Sequence, residues 1–155
     1  GNSDKALKVM DQAYGNAQSL KNFHLQGLLV GEMGHAYLEK GLLITAREYL
    51  DKSLQIARAV NNPEEVARRT LMMGKTLIAV GQRASGMVHL ADALGKAEQM
   101  ENLPLTIKCQ VELGRALKQA GRKAEADRHF DQALKLAESA SDDASIRRIK
   151  AARQG

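Results

Sequence analysis

Tryptophan is absent, and two phenylalanines and three tyrosines are the only aromatic residues among 155. So few rings exclude a core built on bulky anchors. Where elements cross, small residues must let them approach closely. The same scarcity removes the stacking platform that single-stranded nucleic acids need. The net charge of +5, with Arg147, Arg148, Lys150 and Arg153 near the end, suggests nucleic acid, but the missing rings leave it an unfavoured partner. The one cysteine, Cys109, excludes an intramolecular disulfide framework. It stands on an apolar stripe with no base and orienting acid nearby, which reads as core packing rather than a nucleophile. No apolar run approaches the roughly 20 residues of a membrane span. No signal-peptide pattern opens the chain, and the expected location is the cytoplasm. The glycines never form a phosphate-binding loop. His24, His35, His89 and His129 never stand at metal-ligand spacing. With no catalytic constellation left, the expectation is a protein without enzymatic activity, cofactor or metal.

What the chain does have is periodicity. Cys109, Leu113, Ala116, Leu117 and Ala120 recur at the spacing of one helix face. Ala126, Phe130, Ala133, Leu134 and Ala137 repeat that spacing. Gly121 lies between the two stripes, and glycine ends a helix in the left-handed conformation without steric cost. The stretch from Glu112 to Ala137 is thus a helical hairpin. Moved back by 40 residues it falls on itself: Gly114 on Gly74 and Gly34, and Gly121 on Gly81, Gly41 and Gly1. Asn22, Asn62, Asn102 and Asp142 repeat at the junctions between hairpins. Self-similarity at such a period means stacked units with a continuous core.

The pattern predicts helices over Asp4–Leu20, His24–Lys40, Ile44–Val60, Glu64–Val80, Arg83–Met100, Pro104–Ala120, Lys123–Ala140 and Ala144–Gln154. That is about seven helices in antiparallel pairs, the last stretch being the truncated first helix of a further unit. The 1–155 stretch reads as a single domain: a half repeat over 4–22, repeats over 23–62, 63–102 and 103–142, and a truncated repeat over 143–155. Because it begins and ends inside a repeat, we expect a fragment of a longer protein. The unpaired flank of the first helix, with Ala6, Met10 and Tyr14, is expected to drive association through the array ends. Gly34, Gly74 and Gly114 are expected at close helix crossings. Gly86 and Gly95 are expected to weaken the second hairpin, so that Gly86→Ala should stabilise it.

The run Leu113-Gly114-x-x-Leu117 followed by Ala126-x-x-x-Phe130 resembles the signature of the tetratricopeptide repeat. Met33-Gly34-x-x-Tyr37 with Ala46-x-x-x-Leu50 is a second copy. Met73-Gly74-x-x-Leu77 with Gly86-x-x-x-Leu90 is a third. Val30, Thr70 and Gln110 replace the family's tryptophan, and its closing proline is missing from the usual place. The longer unit is similar to that of Pins-type polarity scaffolds, kinesin light chains and bacterial regulators. The resemblance implies an all-α fold, a right-handed superhelix of stacked hairpins whose first helices line a concave face. It also implies a protein-interaction scaffold; a regulatory or sensory module of a larger signalling or transcription-regulating protein is the alternative.

The registers that face the groove in this family carry Leu28, Gly31, His35, Leu38 and Glu39 in the first hairpin. They carry Arg68, Leu71, Lys75, Ile78 and Ala79 in the second, and Lys108, Val111, Arg115, Lys118 and Gln119 in the third. Arg148 and Ala151 follow on the last helix. Spacing alone also places Arg68, Leu71, Lys75 and Ile78 on one helix face, and Lys108, Val111, Arg115 and Lys118 on the next. One acid, Glu39, then stands against six bases, with Glu32 and Glu112 beside the stripe and expected to neutralise part of it. The expected partner is a protein or peptide segment, acidic and partly apolar. The asparagines with which chaperone-binding members of this family clamp a carboxylate are missing from these columns. Met72 and Met87 are expected at the surface, and Met33, Met73 and Met100 in the core.

Overall fold

In a computed structural model, the described residues 2–154, with side chains from Asp4 onward, form eight helices. They are α1 (Asn2–Ser19), α2 (Phe23–Glu39), α3 (Leu43–Ala59), α4 (Pro63–Ala79), α5 (Arg83–Gln99), α6 (Leu103–Gln119), α7 (Lys123–Ser139) and α8 (Asp143–Gln154). Every boundary lies within two residues of that read from the periodicity. The register that reaches back to Gly1 falls outside the described residues. No described helix is long and apolar enough to cross a membrane.

One hydrogen-bonded turn, used at every junction, sets the geometry. After α2, Leu42 N–H donates to Tyr37 O and Gly41 N–H to Leu38 O, each at 3.0 Å. This satisfies carbonyls that the helix end leaves open. The middle residue must take a positive φ. Within hairpins it is Gly41, Gly81 or Gly121, as the sequence suggests. Between hairpins it is Lys21, Asn61, Glu101 or Ser141, at φ between 51° and 54°. The next residue starts a helix. Asn22, Asn62, Asn102 and Asp142 each accept the backbone N–H of the third residue on, at 3.0–3.1 Å. The repeating Asn/Asp column is therefore a column of N-caps.

Within hairpins α2 packs on α3, α4 on α5 and α6 on α7. Between hairpins, α2, α4, α6 and α8 also touch their next-but-one neighbours, whereas α3, α5 and α7 do not touch each other. The row of first helices is thus the inner, compressed side of a right-handed solenoid, and it forms the concave face. Buried Leu, Ala and Met side chains run through the stack, with Phe130 the largest fully buried residue. Cys109 is fully buried among them, and the apolar surroundings push its thiol up to about 12.

Small residues set the crossings. A Cβ on Gly34 would lie 2.9 Å from Leu50 Cγ, and one on Gly114 would lie 2.9 Å from Phe130 Cε1. In the second hairpin two glycines meet. A Cβ on Gly86 would lie 2.7 Å from Gly74 O, and one on Gly74 would lie 2.9 Å from Gly86 O. The sequence reading of Gly86 as a weak point is therefore corrected: it admits the backbone of α4. Gly95 has no heavy atom within 4 Å of its Cβ position and matches that reading. Arg69 is the other surprise. It is 3% exposed at a register held elsewhere by Leu29, Cys109 and Ile149. Its guanidinium covers Gly31, and its NH2 lies 2.8 Å from Glu65 Oε2 and 3.1 Å from Glu32 Oε1.

Candidate functional site

The concave face holds three adjoining recesses. The central one, of about 490 Å³, has an apolar floor of Leu71, Met72, Pro104, Ile107, Val111 and Ile149. His35, Lys75, Lys108, Arg115 and Arg148 supply its basic rim, and Glu112, Asp142 and Ser145 complete the lining. A smaller recess of about 250 Å³ shares Lys75, Glu112 and Arg115 and adds Ile78, Ala79, Leu90, Ala116 and Gln119. A third, of about 610 Å³, continues from Arg115 to Lys118, Gln119, Ala151 and Ala152. The hairpins thus align α2, α4, α6 and α8 so that side chains from four helices share one surface.

The charges on it are partly paired. Arg115 NH1 and Lys75 Nζ lie 3.1 and 3.3 Å from the same Glu112 Oε1. His35 Nε2 lies 3.7 Å from Glu39. Lys108 and Arg148 make no ion pair among the described residues. Asp142 caps α8, and the hydrogen bonds it accepts from Ser145 hold its carboxyl below the usual range. Among the described residues, no group of three or more His, Cys, Asp or Glu is placed to hold a metal. His129 Nδ1 contacts Gln110 Oε1 at 2.6 Å, and burial lowers its pKa. His89 Nδ1 contacts Ser85 O at 2.9 Å.

Residues 106–145 match the tetratricopeptide repeat family, and residues 30–60 match a second description of the same repeat. The chain carries tetratricopeptide repeats. No curated protein matches it by sequence. Among solved structures it is similar to a Rap protein in complex with competence and sporulation factor, with TM-score 0.88 and 13% identity over 96% of this chain. This chain spans only 41% of that Rap protein. It is also similar to a putative kinesin light chain of Podospora anserina with tetratricopeptide-like repeats, with TM-score 0.75 and 19% identity, covering 99% of this chain and 76% of that one. A third is the Rap conjugation gene regulator of plasmid pLS20 in complex with the Phr* peptide. There the TM-score is 0.70 and the identity 22%, over 87% of this chain and 37% of that one. At these identities the likeness is one of fold.

On this repeat scaffold the registers read from sequence separate into three groups. His35, Leu71, Lys75, Lys108, Val111 and Arg115 come together around the central recess, and Ile78 lies in the smaller one. Arg68 and Leu38 line none of the three recesses; Arg68 NH2 pairs with Glu64 Oε1 at 2.7 Å. Lys118 is not a free base, since its Nζ donates to Arg153 O at 2.6 Å, near the end of α8. Three expectations need correction. Leu71 is a core residue, 4% exposed, that offers the recess only an edge. Gly31 is sealed beneath Arg69 rather than open to the groove. Glu39 is also not the acid that matters, because Glu112 and Asp142 line the recess instead. Sequence reasoning missed Pro104, Ile107, Asp142, Ser145 and Ile149. The repeating cap column marked Asp142, but its closeness to the groove depends on how α8 stacks.

Proposed function

We propose that this chain is an interaction module, without catalytic activity, that binds an acidic, partly apolar peptide segment along its concave face. The observation that supports this best is the central recess, an apolar floor rimmed by Lys108 and Arg148, which have no ion-pair partner among the described residues, and by the partly exposed Lys75 and Arg115. Basic rims steer an acidic partner, and apolar floors supply most of its affinity. The pLS20 regulator of similar fold is known in complex with a peptide, which favours a second form of the reading. In that form the module senses its peptide within a larger regulatory protein. The exposed Val9, Leu20, Phe23 and Ile44 at the first-hairpin end would support association of array ends.

The test is selection from a random peptide library on the purified chain, repeated with Lys108→Glu/Arg148→Glu. These two bases are preferred to Lys75 and Arg115, whose reversal would crowd three carboxylates together, Glu112 included. Enriched peptides should carry Asp or Glu beside Leu, Ile or Phe, and the double reversal should weaken them at least tenfold, about 1.4 kcal/mol. Enrichment of basic peptides, or equal binding by a folded double reversal, would overturn the proposal.

A further inference from the structure

Glu112 sits where the two inner recesses meet, and it lines both. A single oxygen, Oε1, holds cations from adjacent hairpins: Arg115 at 3.1 Å on its own helix and Lys75 at 3.3 Å on α4. The carboxylate is the inner member of the trio. Its side chain is 18% exposed, against 33% for Lys75 and 47% for Arg115. A lysine carries three donors and an arginine five, so one carboxylate oxygen leaves most of this donor set unused. The spacing of the two cations is thus already fitted to a carboxylate, and the fitted group is the protein's own.

We propose that the Lys75–Arg115 pair is a binding position for a side-chain carboxylate of the peptide, and that Glu112 fills this position in the unbound chain as a built-in competitor. The inference rests on the acidic-peptide reading given above. In the free chain Glu112 offsets the repulsion between two cations on neighbouring hairpins. On binding, the arriving carboxylate takes over contacts that Glu112 gives up. The ligand therefore gains only the difference between two similar ion contacts. A lone small anion gains almost nothing from such an exchange. A peptide whose leucine or isoleucine enters the central recess holds its acid at high local concentration, and it wins the exchange. Glu112 would thus turn a general anion site into one that demands an acid and an apolar residue together.

The experiment uses the whole chain and a short fluorescein-labelled peptide alternating glutamate and leucine, amidated at its C-terminus. A lysine–leucine peptide serves as control. Anisotropy titrations at two ionic strengths compare wild type, Glu112→Gln, Glu112→Gln/Lys75→Gln and Lys108→Glu/Arg148→Glu. Glu112→Gln should bind the acidic probe about tenfold tighter with a steeper salt dependence, because two cations lose their internal partner. Adding Lys75→Gln should remove that gain, and the basic probe should gain from neither change. If Glu112 is only a strut between α4 and α6, Glu112→Gln will melt lower and bind the probe no better, which overturns the inference. Loss of binding in Lys108→Glu/Arg148→Glu with no gain in Glu112→Gln would leave the groove standing and remove the competitor. If neither wild type nor Glu112→Gln binds the acidic probe, both readings fall.

Discussion

Two glycines on α5 should respond in opposite ways to the same change. An interior glycine costs a helix about 1 kcal/mol relative to alanine, so propensity alone favours both Gly86→Ala and Gly95→Ala. Packing separates them. At Gly95 the Cβ position is open, with nothing within 4 Å, and the propensity gain should appear nearly whole. At Gly86 the new carbon would lie 2.5 Å from Ile78 Cγ1, 2.7 Å from Gly74 O and 3.0 Å from Ile78 N. The Ile78 branch can rotate, but the other two atoms are backbone of α4 and move only if the helices part. Overpacking of this kind costs about 1–3 kcal/mol, which outweighs the propensity gain. With two backbone atoms in the way the cost at Gly86 falls in the upper part of that range, so the expected result is stabilisation of up to ~1 kcal/mol for Gly95→Ala and net destabilisation of ~1–2 kcal/mol for Gly86→Ala. Urea denaturation followed by far-ultraviolet dichroism measures both, with wild type as reference. A Gly86→Ala chain as stable as wild type would refute the close approach of α4 and α5.

Arg69 and Gly31 should be coupled. A Cβ on Gly31 would fall 2.2 Å from Arg69 Cζ, so Gly31→Ala should destabilise wild type yet be tolerated once Arg69 is leucine; a denaturation double-mutant cycle additive to within ~0.5 kcal/mol would count against the contact. Cys109 should make stability fall in alkali. Its buried thiol stays protonated up to about 12 while the unfolded thiol ionises near 9.0. Between those values the unfolded chain binds fewer protons, so stability should drop with rising pH by up to ~1.4 kcal/mol per pH unit from this group. Cys109→Ala should flatten that part of the pH–stability curve, and an unchanged slope would show that the thiol is not shielded.

The repeat was legible because its signals are local and occur several times over. The stripe spacing, the glycine stops and the Asn/Asp caps each follow from one helix or one turn, and each recurs three or four times in register. The second kind of turn escaped notice because Lys21, Asn61, Glu101 and Ser141 share a positive φ and no side-chain chemistry. Asparagine visits this region readily, but at Lys21, Glu101 and Ser141 the surrounding hydrogen bonds impose the conformation on residues that do not prefer it. Gly86 was misread for a related reason. Propensity is a property of one helix, whereas the need for glycine arose from Gly74 O on the helix opposite. The site shows the same division. Periodicity placed Lys75, Lys108, Val111 and Arg115 on the inner face, since a helix face is fixed by residue spacing. It also set Glu112 beside the stripe as a partial neutraliser, but it could not show that this one carboxylate reaches across to the hairpin before it and pairs with two of those bases. That contact depends on the stacking offset between α4 and α6, which is set by how Leu71, Leu105 and Cys109 pack rather than by any charge pattern. Counting charges by register therefore overstates how basic this groove is. Among the described residues Lys108 and Arg148 make no ion pair, and Lys118 meets only a backbone carbonyl; all three stand where the array approaches its short last helix. An acidic partner should accordingly be steered to that end of the concave face first, and only then meet the pair that Glu112 holds.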